Sequence, residues 1–139
     1  SGSAIEIVAQ IDPKDAPMVE LNVFRSPNRE EFTRIAFYKE RGYRDRIHRS
    51  NTMASQITLD TSCSSTAADV LSRAPETAQV PFGEGETLTL RIFVDRSVVE
   101  TFVNNTQCVA ARVYPDREDS VGVSLRSQGA SSELISLDA

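Results

Sequence analysis

The chain of 139 residues has no tryptophan, one histidine, two cysteines and three tyrosines. Flat aromatic side chains are the usual stacking platforms for sugars, so a lectin-type face has only Tyr38, Tyr43 and Tyr114 to use. The lone histidine, His48, stands among charged residues without a neighbouring cysteine or HExxH spacing. It reads as a surface residue, which leaves a metal site or a Ser-His-Asp triad little to build on. Cys63 and Cys108 permit at most one bridge, too few for a disulfide-dense scaffold or a four-cysteine zinc site. Cys108 lies in an apolar run and reads as a small buried hydrophobe. No apolar run approaches the roughly 20 residues of a membrane span, and no charged-then-apolar segment reads as a secretion leader.

Excess positive charge is also missing. A net charge of -5 argues against a nucleic-acid partner, because phosphate binding draws most of its affinity from clustered Lys and Arg. The exception is short: Lys39, Arg41, Arg44, Arg46, His48 and Arg49 crowd together, but Glu40 and Asp45 interrupt them, and the stretch reads as a solvated segment rather than an anion site.

At this length one domain is expected, able to hide roughly 70% of its unfolded surface. An apolar fraction of 40% beside 25% charged residues is far from the signature of disorder. Ser1-Gly2-Ser3 lacks an initiator Met and reads as a cloning scar, with the domain spanning 4–139.

The recurrent signal is alternation with period two, the spacing at which side chains take turns on the faces of a sheet. Ile5, Ile7, Ala9 and Ile11 show it, as do Val19, Leu21 and Val23, and more briefly Ile35 with Phe37 and Ile57 with Leu59. It is clearest from Thr87 to Val94. After Asp95-Arg96-Ser97 the run Val98 to Val103 completes a predicted hairpin. Asn104-Asn105-Thr106 tolerates positive φ and turns the chain into Cys108 to Tyr114, which Pro115 ends. Val121 to Leu125 and Leu134 to Leu137 supply two more strands. Ser62 to Pro81 reads as a long loop, with one or two helical turns at most over Ala67 to Arg73. The expected fold is all-β, a single two-sheet antiparallel sandwich of the jelly-roll or concanavalin-like kind.

Catalytic chemistry has little to stand on. Retaining glycoside hydrolysis needs two carboxyls about 5 Å apart in a sugar-sized pocket. Asp95 and Glu100 flank the predicted hairpin, but Arg91 and Arg96 are equally near in sequence, so charge pairing that pins the turn is the plainer account. Phe93 and Phe102, inside strands, are expected in the core. Asn104-Asn105-Thr106 fits the N-glycosylation pattern at Asn104, although a plain turn explains it as well.

The stretch Leu90-Arg91-Ile92-Phe93-Val94-Asp95-Arg96-Ser97-Val98-Val99-Glu100-Thr101-Phe102-Val103-Asn104, followed by Ala111-Arg112-Val113-Tyr114-Pro115, resembles the C-terminal domain of family 32 of the glycoside hydrolases, the invertases, inulinases and levanases. Phe82 to Thr87 and Ser120 to Leu125 extend the likeness. Phe24-Arg25-Ser26-Pro27 and Ile57-Thr58-Leu59-Asp60 carry it more loosely, with Thr61 where the family often has Arg.

The resemblance implies a sandwich packed beside a catalytic five-bladed propeller of the same polypeptide, helping to form homo-oligomers in some relatives; weak fructan binding belongs to the rival reading given below. It also favours a parent secreted or outside the cytoplasm. The family's Asn-Asp-Pro-Asn-Gly, Arg-Asp-Pro and Glu-Cys motifs do not occur in this sequence. No catalytic, metal or cofactor residue is therefore assigned. The family-like hairpin of Asp95, Arg96, Ser97 and Glu100 is expected to act structurally, and a carbohydrate-binding module is the rival reading.

Overall fold

The computed structural model describes residues 4–42 and 54–139. His48 and most of the basic stretch, Tyr43, and the cloning-scar positions 1–3 lie outside the described residues. Ten strands follow in order: β1 (Ile5–Asp12), β2 (Met18–Arg25), β3 (Thr33–Tyr38), β4 (Ser55–Asp60), β5 (Glu76–Val80), β6 (Leu88–Asp95), β7 (Val98–Val103), β8 (Gln107–Arg112), β9 (Gly122–Gln128) and β10 (Glu133–Asp138). They form two five-stranded sheets, ordered β10-β1-β6-β7-β8 and β5-β4-β3-β2-β9, with every neighbouring pair antiparallel.

The alternation in the sequence becomes two inner faces. In β6, Leu88, Leu90, Ile92 and Val94 are buried while Arg91 and Asp95 are exposed. They meet Val19, Leu21, Ile35, Phe37 and Ile57 of the other sheet in one core. Burying a side chain of that size is worth about 1.5–3 kcal/mol each, the main term offsetting the entropy of ordering the strands.

Three expectations change. The segment read as a long loop contains β5, which pairs with β4 from Leu59↔Glu76 to Ser55↔Val80. Its prolines, Pro75 and Pro81, bracket the strand rather than interrupt it. As an edge strand it buries only Val80 fully, so it shows little apolar pattern. Ala67 to Arg73 holds a single turn, with Val70 N–H donating to the Ala67 carbonyl at 3.2 Å, and no helix. Phe93 and Phe102 stand on the outer face of their sheet, edge to face with centroids 5.9 Å apart, because the core-facing positions of β6 and β7 fall to Ile92, Val94, Thr101 and Val103.

The tight connections carry the strained backbone. Arg96 opens the β6–β7 turn at φ 55°, the conformation a two-residue hairpin needs at its first central position. Asn104 and Asn105 take φ 49° and 53° in the β7–β8 turn. Gly129, at φ 84°, leaves no room for a side chain: a Cβ there would sit 2.6 Å from Pro17.

The two long edges of the sandwich differ. At one, β5 packs against β8, and Val80, Val109 and Val113 close the core. The other edge is made by β9 and β10, and among the described residues these two strands make no comparable approach.

Candidate functional site: the loop end of the sandwich

One end of the sandwich gathers the loops 26–32, 61–75 and 113–121 with the β6–β7 hairpin. Glu31 organises it. Its side chain is fully buried and accepts from three backbone N–H groups, those of Thr66 (2.7 Å), Asp116 (2.8 Å) and Arg117 (2.8 Å). Two hydroxyls, Ser120 Oγ (2.7 Å) and Thr66 Oγ1 (3.3 Å), complete the cage. Its own backbone closes a short loop, N–H to Ser26 Oγ at 3.0 Å and carbonyl from Ser26 N–H at 2.9 Å.

Burial pushes this carboxyl up. The donors from Asp116, Ser120, Thr66 and Arg117 outweigh that effect and bring its pKa down to about 2. One ionised side chain thus fastens three loops that are far apart in sequence.

The hairpin stands beside this knot. Val113 N–H donates to the Ser97 carbonyl at 2.7 Å, linking the turn to the 113–120 loop that Glu31 holds. Asp95 and Glu100 are exposed on the outer face. The expected charge pairing across the turn is not what the geometry shows. Arg91 pairs with Glu6 on β1 at 2.6 Å and lies over the Phe93 ring, and among the described residues Asp95, Arg96 and Glu100 make no ion pair. β1 lies alongside β6 and offers Glu6 opposite Phe93, a closer diagonal partner for Arg91 than the turn.

Cys108 is exposed beside Phe102, not buried as its apolar run suggested, because β8 is an edge strand and that position faces outward. Partial desolvation, then the Glu100 charge, push its thiol above the ordinary value, which disfavours a reactive thiolate. Both cysteines are free. Asn104 is half-buried, its Oδ1 accepting from Thr89 N–H at 2.6 Å, so the Asn-Asn-Thr triplet sits in a turn whose first side chain is engaged.

A second buried carboxylate, Glu20, lies on the outer face of β2. It meets Arg29 at 3.4 Å, Arg34 at 3.0 Å and Arg126, and accepts from Asn22 Nδ2 at 3.2 Å. The Arg34 N–H is poorly aimed at Glu20 Oε2, so that contact is ionic rather than a hydrogen bond. Arg29 and Arg34 also stack over Phe32, with guanidinium carbons 4.4 and 5.3 Å from the ring centroid.

Neither glutamate is placed for glycosidic chemistry. Glu31 is ionised and its oxygens are fully engaged, so it has no proton to give and no free lone pair aimed at a pocket. Glu20 is enclosed by guanidinium groups. Among the described residues, no group of three or more His, Cys, Asp or Glu converges to hold a metal.

A groove of about 660 Å³ runs between β8 and the 61–74 loop, lined by apolar residues such as Val70 and Leu71 together with Thr61, Ser62, Ser65, Arg73, Arg112 and the half-exposed Tyr114. Sequence reasoning missed Glu20, Glu31 and the arginines around Glu20. A polar residue between two apolar ones in a strand is the ordinary pattern, and nothing local marks Glu20 as buried.

The two five-stranded antiparallel sheets and this loop end define an all-β sandwich of the galectin-like kind. Residues 1–139 match the family described as Glycosyl hydrolases family 32 C terminal, and the chain belongs to it. Over 88 residues it is 40% identical to the acid beta-fructofuranosidase of Vicia faba, covering 63% of this chain and 13% of that protein. Exo-inulinase from Aspergillus awamori superposes over 99% of this chain and 24% of its own, with a TM-score of 0.70 at 23% identity. The Caenorhabditis elegans galectin LEC-6 shares the fold over 96% of this chain and 79% of its own, with a TM-score of 0.59 at 10% identity. The chain therefore spans about an eighth of the curated relative (13%) and a quarter of the solved inulinase (24%).

Proposed function

We propose that this chain is a non-catalytic accessory domain of a β-fructofuranosidase-like glycoside hydrolase acting on sucrose or fructans, and that it stabilises a catalytic propeller in the same polypeptide. The observation that carries the reading is the state of the carboxylates within a family 32 C-terminal domain. The buried ones are consumed by structural contacts, and the exposed hairpin pair Asp95 and Glu100 lies on an open sheet face rather than in a pocket. A domain is stable by only about 5–15 kcal/mol, so an interface with a companion can decide whether that companion stays folded. The hairpin of Asp95, Arg96, Ser97 and Glu100 would then serve to hold the loop end in shape, and assembly of the parent into homo-oligomers fits the same role.

Calorimetric titration of the chain with sucrose, a fructo-oligosaccharide and inulin, with released fructose assayed over long incubation, tests this. The expected result is neither saturable heat nor fructose. Hydrolysis would overturn the reading. Saturable heat without hydrolysis would promote the second reading, a carbohydrate-binding module, for which the groove beside Tyr114 is the supporting observation.

A further inference from the structure

The arginines around Glu20 outnumber the charge they enclose. Arg29, Arg34 and Arg126 bring three positive charges within 3.4 Å of one carboxylate, which leaves an excess of two on a chain whose net charge is -5. Asp60, opposite Arg34 on β4, accepts from Ser62 N–H at 2.9 Å and makes no ion pair with Arg34 among the described residues. Each arginine arrives from a different element: Arg34 from β3, Arg126 from β9, and Arg29 from the loop between β2 and β3. In the sheet, Asn22 of β2 lies between Arg34 and Ser124, and Glu20 lies opposite Arg126.

The guanidinium groups are fixed in place. Arg29 and Arg34 stand over the Phe32 ring, and Arg29 is carried at φ 60° on a turn closed by its N–H to the Ser26 carbonyl at 3.1 Å. Ser26 in turn is tied to Glu31, so the loop that supplies Arg29 is part of the buried knot. A non-glycine residue held in that left-handed conformation costs energy that the surrounding contacts must offset. Arg34 and Arg126 meet Glu20 through Nε alone, and among the described residues their terminal nitrogens have no acceptor and are not shut away from solvent. Ser124 Oγ accepts from Asn22 Nδ2 at 3.4 Å, which leaves its own proton free to donate. On the other sheet Arg91 is matched by Glu6 one to one. Around Glu20, by contrast, the second and third cations repel one another unless a further anion shares the site.

We propose that the open side of this cluster, on the outer face of β2, β3 and β9, binds a phosphate group, either the free ion or a phosphomonoester. Charge and shape choose the class. Guanidinium forks pair with oxyanions two hydrogen bonds at a time, and a phosphate group near neutral pH carries a charge of about -1.5 to -2 on three acceptor oxygens, which matches the excess of two. A carboxylate brings one charge and two oxygens, and Glu20 already supplies one. The site does not depend on the accessory role of the domain.

Titration of this chain with inorganic phosphate and with a hexose monophosphate, at constant ionic strength near neutral pH and followed by NMR shifts, tests the proposal. Saturation with a Kd on the order of 1 mM is expected, with the shifts centred on residues 20–22, 29–34 and 124–126. Arg126→Gln should weaken binding at least about tenfold, and Arg126→Lys, which keeps the charge and loses the fork, by less. Arg126 is the most exposed of the three arginines, so both variants should keep the ligand-free Tm of the unmodified chain; should the Gln variant not do so, the Lys variant carries the test. Arg91→Gln should leave the Kd unchanged, because Glu6 already matches that charge. Tighter binding of the hexose monophosphate would identify an ester as the ligand, and equal or weaker binding the free ion. No saturation by either below about 0.1 M, full affinity in a folded Arg126 variant, shifts confined to Arg73 and Arg112, or acetate binding as tightly as phosphate would each overturn the proposal.

Discussion

Two glutamates, Glu20 and Glu31, are wholly buried in this sandwich, and they are accommodated in opposite ways. Glu31 is held by neutral donors, three backbone N–H groups and two hydroxyls drawn from separate loops. Glu20 is held by charge, with three arginines and one amide around it. Preformed neutral dipoles repay the desolvation of a carboxylate without burying a counter-charge, and they depress its pKa. Arginines repay it as well, but they add mutual repulsion, leave donor groups such as Arg29 Nε without a hydrogen-bond partner, and respond to salt. The first arrangement knots loops together. The second lies on a sheet face, where Arg29 and Arg34 also cover Phe32.

Glu31→Gln should break this contrast with the largest effect. A neutral amide cannot accept all of the donors, and the pKa of about 2 against an ordinary value of 4.5 corresponds to about 3 kcal/mol at neutral pH. Because the folded-state value is depressed, that stability is fully present above about pH 4.5 and is lost as pH falls toward 2. Urea denaturation at pH 7, 4 and 2 should show the gap between wild type and variant narrow and then vanish. A gap independent of pH would mean that shape, not charge, holds the loops.

Glu20→Gln should cost about 2 kcal/mol, by leaving three arginines without their anion. Here added salt is the discriminating variable. Denaturation in 0.1 M and about 1 M NaCl should recover part of the loss for Glu20→Gln and none for Glu31→Gln, since only the first leaves like charges to screen. Equal recovery by both would erase the distinction.

A third buried polar group sharpens the comparison from the other side. Thr101 Oγ1 lies on the inner face of β7 with no partner among protein atoms. Thr101→Val should therefore raise stability by about 1 kcal/mol, read as a higher thermal midpoint, because it removes a desolvated hydroxyl at little change in volume. A loss of stability would reveal a hydrogen bond, for instance to a buried water.

Most of the fold was legible because it rests on the repeated alternation of Ile, Leu and Val at every second position, from Ile7 to Leu137. What escaped was set by tertiary position. β5 hid between Pro75 and Pro81 because an edge strand buries one side chain and needs no apolar run. Phe93 and Phe102 read as core by size, yet alternation placed them outward, a conflict that the period alone would have resolved. Cys108 read as buried by its neighbours and is exposed because β8 ends its sheet. Glu31 lay outside any strand pattern, and its donors come from residues 35 to 89 positions away, a separation no local motif reports. The family-like run around Asp95 suggested charge partners within the turn, whereas Arg91 pairs with Glu6 on the neighbouring strand.

On the proposed function, this domain keeps a catalytic neighbour folded. Thermal unfolding of the polypeptide joining the two, measured beside the catalytic domain alone and this chain alone, tests it most directly. The catalytic domain should melt several degrees higher when joined than alone, with kcat per folded molecule unchanged. Equal melting temperatures, or a fall in kcat without any change in melting temperature, would contradict it.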